Sequence, residues 1–403
     1  MIGRKTIVLL VAALVAGVLV LPATAAAGIF GTPPLEISIA PSAGAPDGPS
    51  AHPAVSGDNR TGRLAGFDSA ATNLVGGDTN GRIDVFVWQR PSGRAGLTLE
   101  RPTGDLRRVS VTSDGTEANG DSTQPSIDGS VGHRPHCVAF QSTATNLSSG
   151  DRDPVSDVYV HNLRTHRTTL VSRGVPAPAG SASIDGRCHR VVFAAGGQIL
   201  VAKVRGGRVR SVGSGADPSF SLDGTAITWV NGGTVLLRRQ GRTSRVGPGA
   251  NPTVSDATRR RWGVSFETRA RLARNDGNDG MDVYMRVLGR RGGPIETDLI
   301  SATRRGGRSL GGTNRNGGIT AYASVRGVVV FVHEDGGQAT LYYRNNHTGN
   351  IDDLAHAPTI GDVATSARAN FVALESLGGP QFVGASDGTQ SVYFKHLIHG
   401  EPL

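Results

Sequence analysis

Lysine is almost missing from this chain: 3 Lys stand against 39 Arg in 403 residues, a bias that points to a genome rich in G and C rather than to a fold. Aromatic residues are scarce at 5%, too few to spare for a platform on which nucleic-acid bases would stack. Only two cysteines occur, Cys137 and Cys188, and nothing resembles a zinc site or a phosphate-cradling loop. After the first thirty residues no helix-period stripe appears, which excludes a helical domain. What the chain has in excess is glycine: 57 residues, about twice the usual share of ~7%. With apolar residues still at 37%, that surplus signals frequent tight turns around a core, not low-complexity disorder.

Those turns fall in a repeat. HPAVSG at 52, QPSIDG at 124, DPSFSLDG at 217, NPTVSDA at 251 and APTIGD at 357 each precede an apolar triplet that ends in a bulky residue. The seven anchors are Phe67, Phe140, Phe193, Trp229, Phe266, Phe331 and Leu374, and alternating runs such as DVFVW (84), DVYVH (157) and SVYFK (391) follow them. A repeat of roughly 20–50 residues that cannot bury a core by itself marks an array or propeller. Residues 124–172 show the unit: QPSIDG is a strand with its Pro at the start, Asp-Gly a tight turn, HCVAF a strand covered on both faces, then DVYVH and RTTLVS. Four strands per unit predict an all-β, closed β-propeller, seven-bladed by the anchor count, with six blades as the alternative.

The two ends complement each other. The chain stops soon after SVYFK, a third strand without a fourth, whereas LEISI (35–39) parallels the fourth strand at LRRVSV (106–111) with no blade before it. Residues 35–39 are therefore expected beside 391–395, closing the ring and removing a free sheet edge. Upstream, Arg4 and Lys5, the apolar stretch Thr6 to Leu21, Pro22 and two Ala-x-Ala sites read as an export signal over 1–27, followed by a short linker at 28–34 and the propeller at 35–403. A retained membrane anchor is the alternative to cleavage. After cleavage the expectation is an exported monomer, secreted or associated with the cell envelope, without stable membrane insertion.

The cassette Pro-Ser-x-Ser-x-Asp-Gly, then Val-Ala-Phe, then Asp-(Val/Ile)-Tyr-Val resembles the TolB-type propeller repeat of exported bacterial proteins, and the Ala-Thr-Asn-Leu and Gly-Asp-Thr-Asn-Gly segments are similar to secreted actinobacterial propellers. The resemblance spans about 35–403; it is strong in blades one, two and five and weak in blade six, where ITAYAS replaces the Pro-Ser start. It implies a binding scaffold with no shared catalytic residues, usually of six blades.

Three loops repeat the spacing Asp-x-(Asn/Asp)-x3-Asp: Asp78, Asn80, Asp84; Asp151, Asp153, Asp157; and Asp276, Asn278, Asp282. Oxygen ligands so spaced in a glycine-rich loop suit Ca²⁺, and equally suit turns in which Asp and Asn bond their own backbone. No other cofactor is expected. Cys137 and Cys188, on neighbouring repeats, form either a disulfide or two isolated thiols. Gly384-Ala385-Ser386-Asp387-Gly388 matches a nucleophile elbow but lies between strands with no helix to follow, so it reads as a turn. The histidines, His133, His136, His161 and His166 among them, have no partner set at metal spacing.

Charge is concentrated. Residues 259–315 hold thirteen Arg against six acids, and Arg259, Arg260, Arg261, Arg304, Arg305 and Arg308 form the candidate anion- or partner-binding face. The expected function is a non-enzymatic exported scaffold that binds a protein or an anionic cell-envelope component, not nucleic acid, through loops at one end of the ring. The rival is a hydrolase or lyase with its site in the central channel. It would need acids, bases or histidines from several blades to meet at the channel mouth.

Overall fold

The structure is a computed structural model that describes residues 32–41, 44–58, 62–91, 104–151, 153–289, 292–320, 327–384 and 388–397. The expected export signal, residues 92–103, Arg290, Arg291 and Ala385–Asp387 of the elbow-like motif lie outside the described residues. Twenty-eight strands make seven antiparallel four-stranded sheets, and no helix occurs among the described residues. This is a seven-bladed β-propeller. Blade 1 is Ser50–Val55, Leu64–Ser69, Asp84–Gln89 and Asp105–Arg108, running outward from the channel, and the other blades repeat that order.

The anchors explain why the cassettes stack. Each lies in the second strand, buried, directly opposite a third-strand residue: Phe67 with Phe86, Phe140 with Tyr159, Phe193 with Leu200, Trp229 with Leu236, Phe266 with Tyr284, Phe331 with Tyr342 and Leu374 with Tyr393. Such cross-strand pairs cover one face of a blade, which packs on its neighbour. Val85 and Val87 of blade 1 accordingly share a core with Val138 and Phe140 of blade 2.

Closure follows the expected route. Leu35 pairs with Phe394 and Glu36 with Tyr393, so the amino-terminal strand is the outer strand of blade 7. The ladder covers only Leu35–Glu36, with Ile37 adding a backbone bond to Val392, and is therefore shorter than the five residues expected. Two further expectations need correction. Blade 6 starts ahead of ITAYAS: its innermost strand is Thr313–Ile319, built without a Pro-Ser cassette. Nor does the cassette proline start its strand. Pro125 lies inside Ser122–Ile127, where the register slips between Thr123 and Ser126. A bulged residue leaves the ladder, so a proline costs no donor there.

Candidate functional site: the two ends of the channel

The bulge recurs in all seven innermost strands, between Ala51 and Ala54 in blade 1 and at the same place around the ring. In five blades the bulged residue adopts a positive φ without being glycine: His52 (49°), Gln124 (53°), Ser181 (51°), Asp217 (52°) and Asn251 (47°). That conformation is disfavoured for L-residues and persists only where the surroundings impose it. All five residues line one mouth of the channel, a polar well of about 420 Å³.

Side chains from the preceding blade hold the bulges. Asp68 Oδ2 accepts from the Gln124 amide (2.7 Å), Gln141 Oε1 from that of Ser181 (3.1 Å), Glu267 Oε1 from that of Asn316 (2.7 Å) and Glu375 Oε2 from that of His52 (3.2 Å). Each acceptor is the residue immediately after an anchor. At the other three junctions that position is Ala194, Val230 or Val332. The anchors were legible in the sequence, but their polar successors went unread. The signal was a carboxylate or amide in a strand otherwise buried on both faces, where it needs a partner.

Acids and one histidine from several blades thus converge at this mouth. His52 Nδ1 lies 2.7 Å from the buried Asp68 Oδ2, and that carboxylate raises the histidine's pKa. Asp217, Glu267 and Asp362 line the well, with Glu375 beside them; burial raises Glu267 and Glu375 above the usual carboxylate range. Arg315 also lines the well but is committed to Glu334 (2.5 Å) and to carbonyls of Ile360 and Gly361. The well is net acidic and holds one imidazole–carboxylate pair.

The opposite end is drawn tight. Gly57 donates to the carbonyl of Asp128 (3.3 Å), Gly129 to Gly186 (3.2 Å) and Gly186 to Leu222 (2.8 Å), while the Asp223 amide donates to Asp256 Oδ1 (2.7 Å). A Cβ at Gly57 or Gly186 would lie 2.3–2.4 Å from the Gly129 carbonyl oxygen, so these Ser-Gly and Asp-Gly turns require glycine for close approach. Burial, reinforced by Asp223, pushes Asp256 up to about 7.

The repeated Asp/Asn loops sit at the wide end, outside the mouth. In blade 1 a guanidinium takes the place a cation would occupy: Arg108 Nη1 is 2.9 Å from Asp78, 3.3 Å from Asp84 and 2.6 Å from Glu117, and Asn80 donates to Asp84 (2.8 Å). In blade 2 the Tyr159 hydroxyl donates to Asp151, Ser172 to Asp157, and the Val155 amide to Asp153 (3.0 Å). In blade 5 Tyr284 donates to Asp276 (2.5 Å), Ser301 to Asp282 (2.5 Å), and Asn278 donates to Ser309 (2.8 Å). Protein donors therefore serve all three loops. Among the described residues, no three Asp, Glu, His or Cys ligand atoms from these loops gather within 4.8 Å of one another.

Cys137 and Cys188 are joined as a disulfide between blades 2 and 3. His136 and Asp128 bring ligand atoms within 4.8 Å of both sulfurs, a proximity not read from histidine spacing. In this state the sulfurs are spent on each other. The arginine face needs a firmer correction. Arg259–Arg261 follow the innermost strand of blade 5 (Ala250–Val254), whereas Arg304, Arg305 and Arg308 precede that of blade 6 (Thr313–Ile319). Those strands run the same way around the axis, so the two groups lie at opposite ends of the ring. Arginines close in the sequence are thus far apart in space.

No family model matches the chain, and no curated protein matches it. Among solved structures it is similar to the Pyrococcus horikoshii acylaminoacyl peptidase at 12% identity and TM-score 0.50, over 88% of this chain and 51% of that one. It is also similar to the β-propeller domain of the Trilobed protease from Pyrococcus furiosus (11%, 0.48, 81% and 89%) and to an oligogalacturonate lyase in complex with manganese (10%, 0.41, 65% and 86%). The likeness is one of fold. This chain spans about half the length of the peptidase, and the TolB-type resemblance extends no further than the shared propeller architecture.

Proposed function

We propose that this protein is an exported binding propeller that takes a protein partner at the wide end of its ring, with a basic side chain or amino terminus of the partner seated in the acidic well. The contrast between the two ends carries the reading. One is laced by turn-to-turn bonds; the other presents long loops around a polar cavity of about 420 Å³, within the size range of ligand sites. Asp217, Glu267 and Asp362 suit a cationic group, while Arg269, Arg271, Arg274 and Arg304 in the surrounding loops suit acidic residues on the partner's rim. Export is supported by the charged, apolar and Ala-x-Ala order of residues 1–27, and a disulfide fits an oxidising compartment.

The His52–Asp68 pair favours a second reading, in which the mouth performs acid–base chemistry: with Nδ1 held by Asp68, Nε2 is left to exchange a proton with a ligand. One experiment separates the two. The mature protein is used to capture partners from culture fluid and envelope extracts, beside an Asp217→Asn/Glu267→Gln/Asp362→Asn variant and a His52→Asn variant. Binding predicts that the triple variant loses the captured protein and His52→Asn keeps most of it. Capture that ignores the triple variant would sink the reading. A captured ligand that the parent converts and His52→Asn does not would transfer the site to catalysis.

A further inference from the structure

A second cavity lies away from the channel mouth. It is a groove of about 770 Å³ between blades 3 and 4, where Arg190, Lys203, Arg208, Arg210 and Arg238 gather and no carboxylate lines the wall. Strand alternation accounts for the convergence. On blade 3, Val192, Ile199, Val201 and Val212 pack toward Phe220 and Trp229 of blade 4, and Arg190, Lys203 and Arg210 share their parity. Arg238 shares parity with Leu236 on the facing side, whereas its neighbour Arg239 turns the other way, over Trp262 of blade 5. The residues involved belong to the turns and strand ends opposite the wide mouth: Gly206 to Arg210, Gly224-Thr225 and Gln240-Gly241.

Arg190 is pre-set. It lies over the Phe220 ring (5.4 Å), donates to the Gly224 carbonyl (2.6 Å) and is braced by the buried Asp185 at 3.4 Å. Lys203, Arg208 and Arg210 are exposed and have no acidic partner among the described residues. Concentrated positive charge in a concave wall raises the local concentration of anions, and guanidinium forks match carboxylates two bonds at a time. The observations also narrow the occupant. Phe220 is covered by Arg190, so no open aromatic face remains on which bases could stack. The exposed large apolar residues among those described are Val131, Ile295 and Leu377, none of which lines the groove, so nothing there would enter a lipid surface.

We propose that this groove binds a segment of an acidic polysaccharide, its carboxylates paired with Lys203, Arg208, Arg210 and Arg238. The site is independent of the wide-end reading and has the opposite charge. The test is titration of the mature protein with an alginate hexasaccharide at low and moderate salt, with a neutral dextran oligomer and a single-stranded DNA oligomer as comparisons. Alginate should bind, more weakly as salt rises, and dextran should not. Each lost charge-assisted contact is expected to weaken binding by about tenfold, so Lys203→Ser/Arg210→Ser/Arg238→Ser should abolish it, and Arg210→Ser alone, on an exposed hairpin, serves if the triple variant is unstable. Arg304→Ser/Arg305→Ser/Arg308→Ser removes the same charge at the other end and should leave the affinity unchanged. Absence of alginate binding at low salt, or equal weakening by the two triple variants, would overturn the proposal. Tighter binding of DNA through the same residues would overturn it in favour of a nucleic-acid site.

Discussion

In blades 2 and 5 the first aspartate of the long loop, Asp151 or Asp276, receives a tyrosine hydroxyl from the third strand. Blade 1 has Phe86 where those blades have Tyr159 and Tyr284, and it has Arg108 where they have Leu170 and Leu299. The register is secured by Ser110, Ser172 and Ser301, each of which donates to the last aspartate of its loop and accepts the amide of the next residue. Within one chain, then, a neutral donor has been exchanged for a cation by changing two positions on adjacent strands. A buried carboxylate must be answered, but the fold accepts either answer. Blade 7 shows a third arrangement: Ser391 stands where blade 1 has Asp84, and the acid is Glu36 on the outer strand, bonded at 2.6 Å.

The largest effect should come from Arg108→Leu, which leaves Asp78 and Asp84 buried without their cation; removing one partner of a buried ion pair costs about 3–5 kcal/mol. Urea unfolding measures it, and adding Phe86→Tyr should recover a substantial part by rebuilding the blade 2 arrangement. A loss well under 1 kcal/mol, or no rescue, would break the comparison.

Smaller is the reverse exchange in blade 5. Tyr284→Phe removes the hydroxyl from Asp276 and leaves an unsatisfied buried acceptor, a loss of about 1–3 kcal/mol. Leu299→Arg added to it should restore stability only if the cation solution is transferable between blades. Failure of that rescue, with rescue in blade 1 intact, would show that Glu117 is a required third member of the blade 1 cluster.

The smallest effect is in pH dependence. Burial pushes Asp78 and Asp282 each up to about 6. Both carboxyls hold their protons more tightly folded than unfolded, so the stability they confer is complete below the ordinary carboxylate pKa of about 4 and is lost as pH rises through about 6. Asp282→Asn keeps the acceptor for Ser301 and should flatten the fall in melting temperature between those values. An unchanged slope would place the buried charge elsewhere, with Asp256, pushed up to about 7, the next group to replace.

Much of the architecture was legible because it rests on short-range rules. Anchors at fixed offsets, Asp-Gly and Gly-Gly turns and period-two runs each specify a strand or a turn locally, and seven copies leave few ways to bury the anchors. Even the closing strand could be placed, since LEISI repeats a fourth-strand pattern without a blade of its own. The cassette proline marks a strand in the sequence but not its place within that strand, because a bulge depends on the partner strand's register and not on the proline itself.

The sites were legible only in part. Asp78, Asp151 and Asp276 stood out by spacing, yet spacing could not say that Arg108, Tyr159 and Tyr284 would answer them. Each of those partners comes from another strand of the blade. His52 and Glu375, 323 residues apart, meet only because the ring closes. The arginines of 259–308 form one cluster in the chain and two in space, since strand direction sends one group to each end.

By itself, the sequence determined the propeller architecture, the four-stranded make-up of its blades, the anchors between them and the segment that closes the ring, because burial of one apolar face per strand is encoded every second residue; the choice of seven blades over six was decided by the structure. The tertiary structure decided which polar groups meet. The acidic well, the laced turns and the basic groove are each assembled from several blades, and charges brought together across blades interact through space with no regard for their order along the chain.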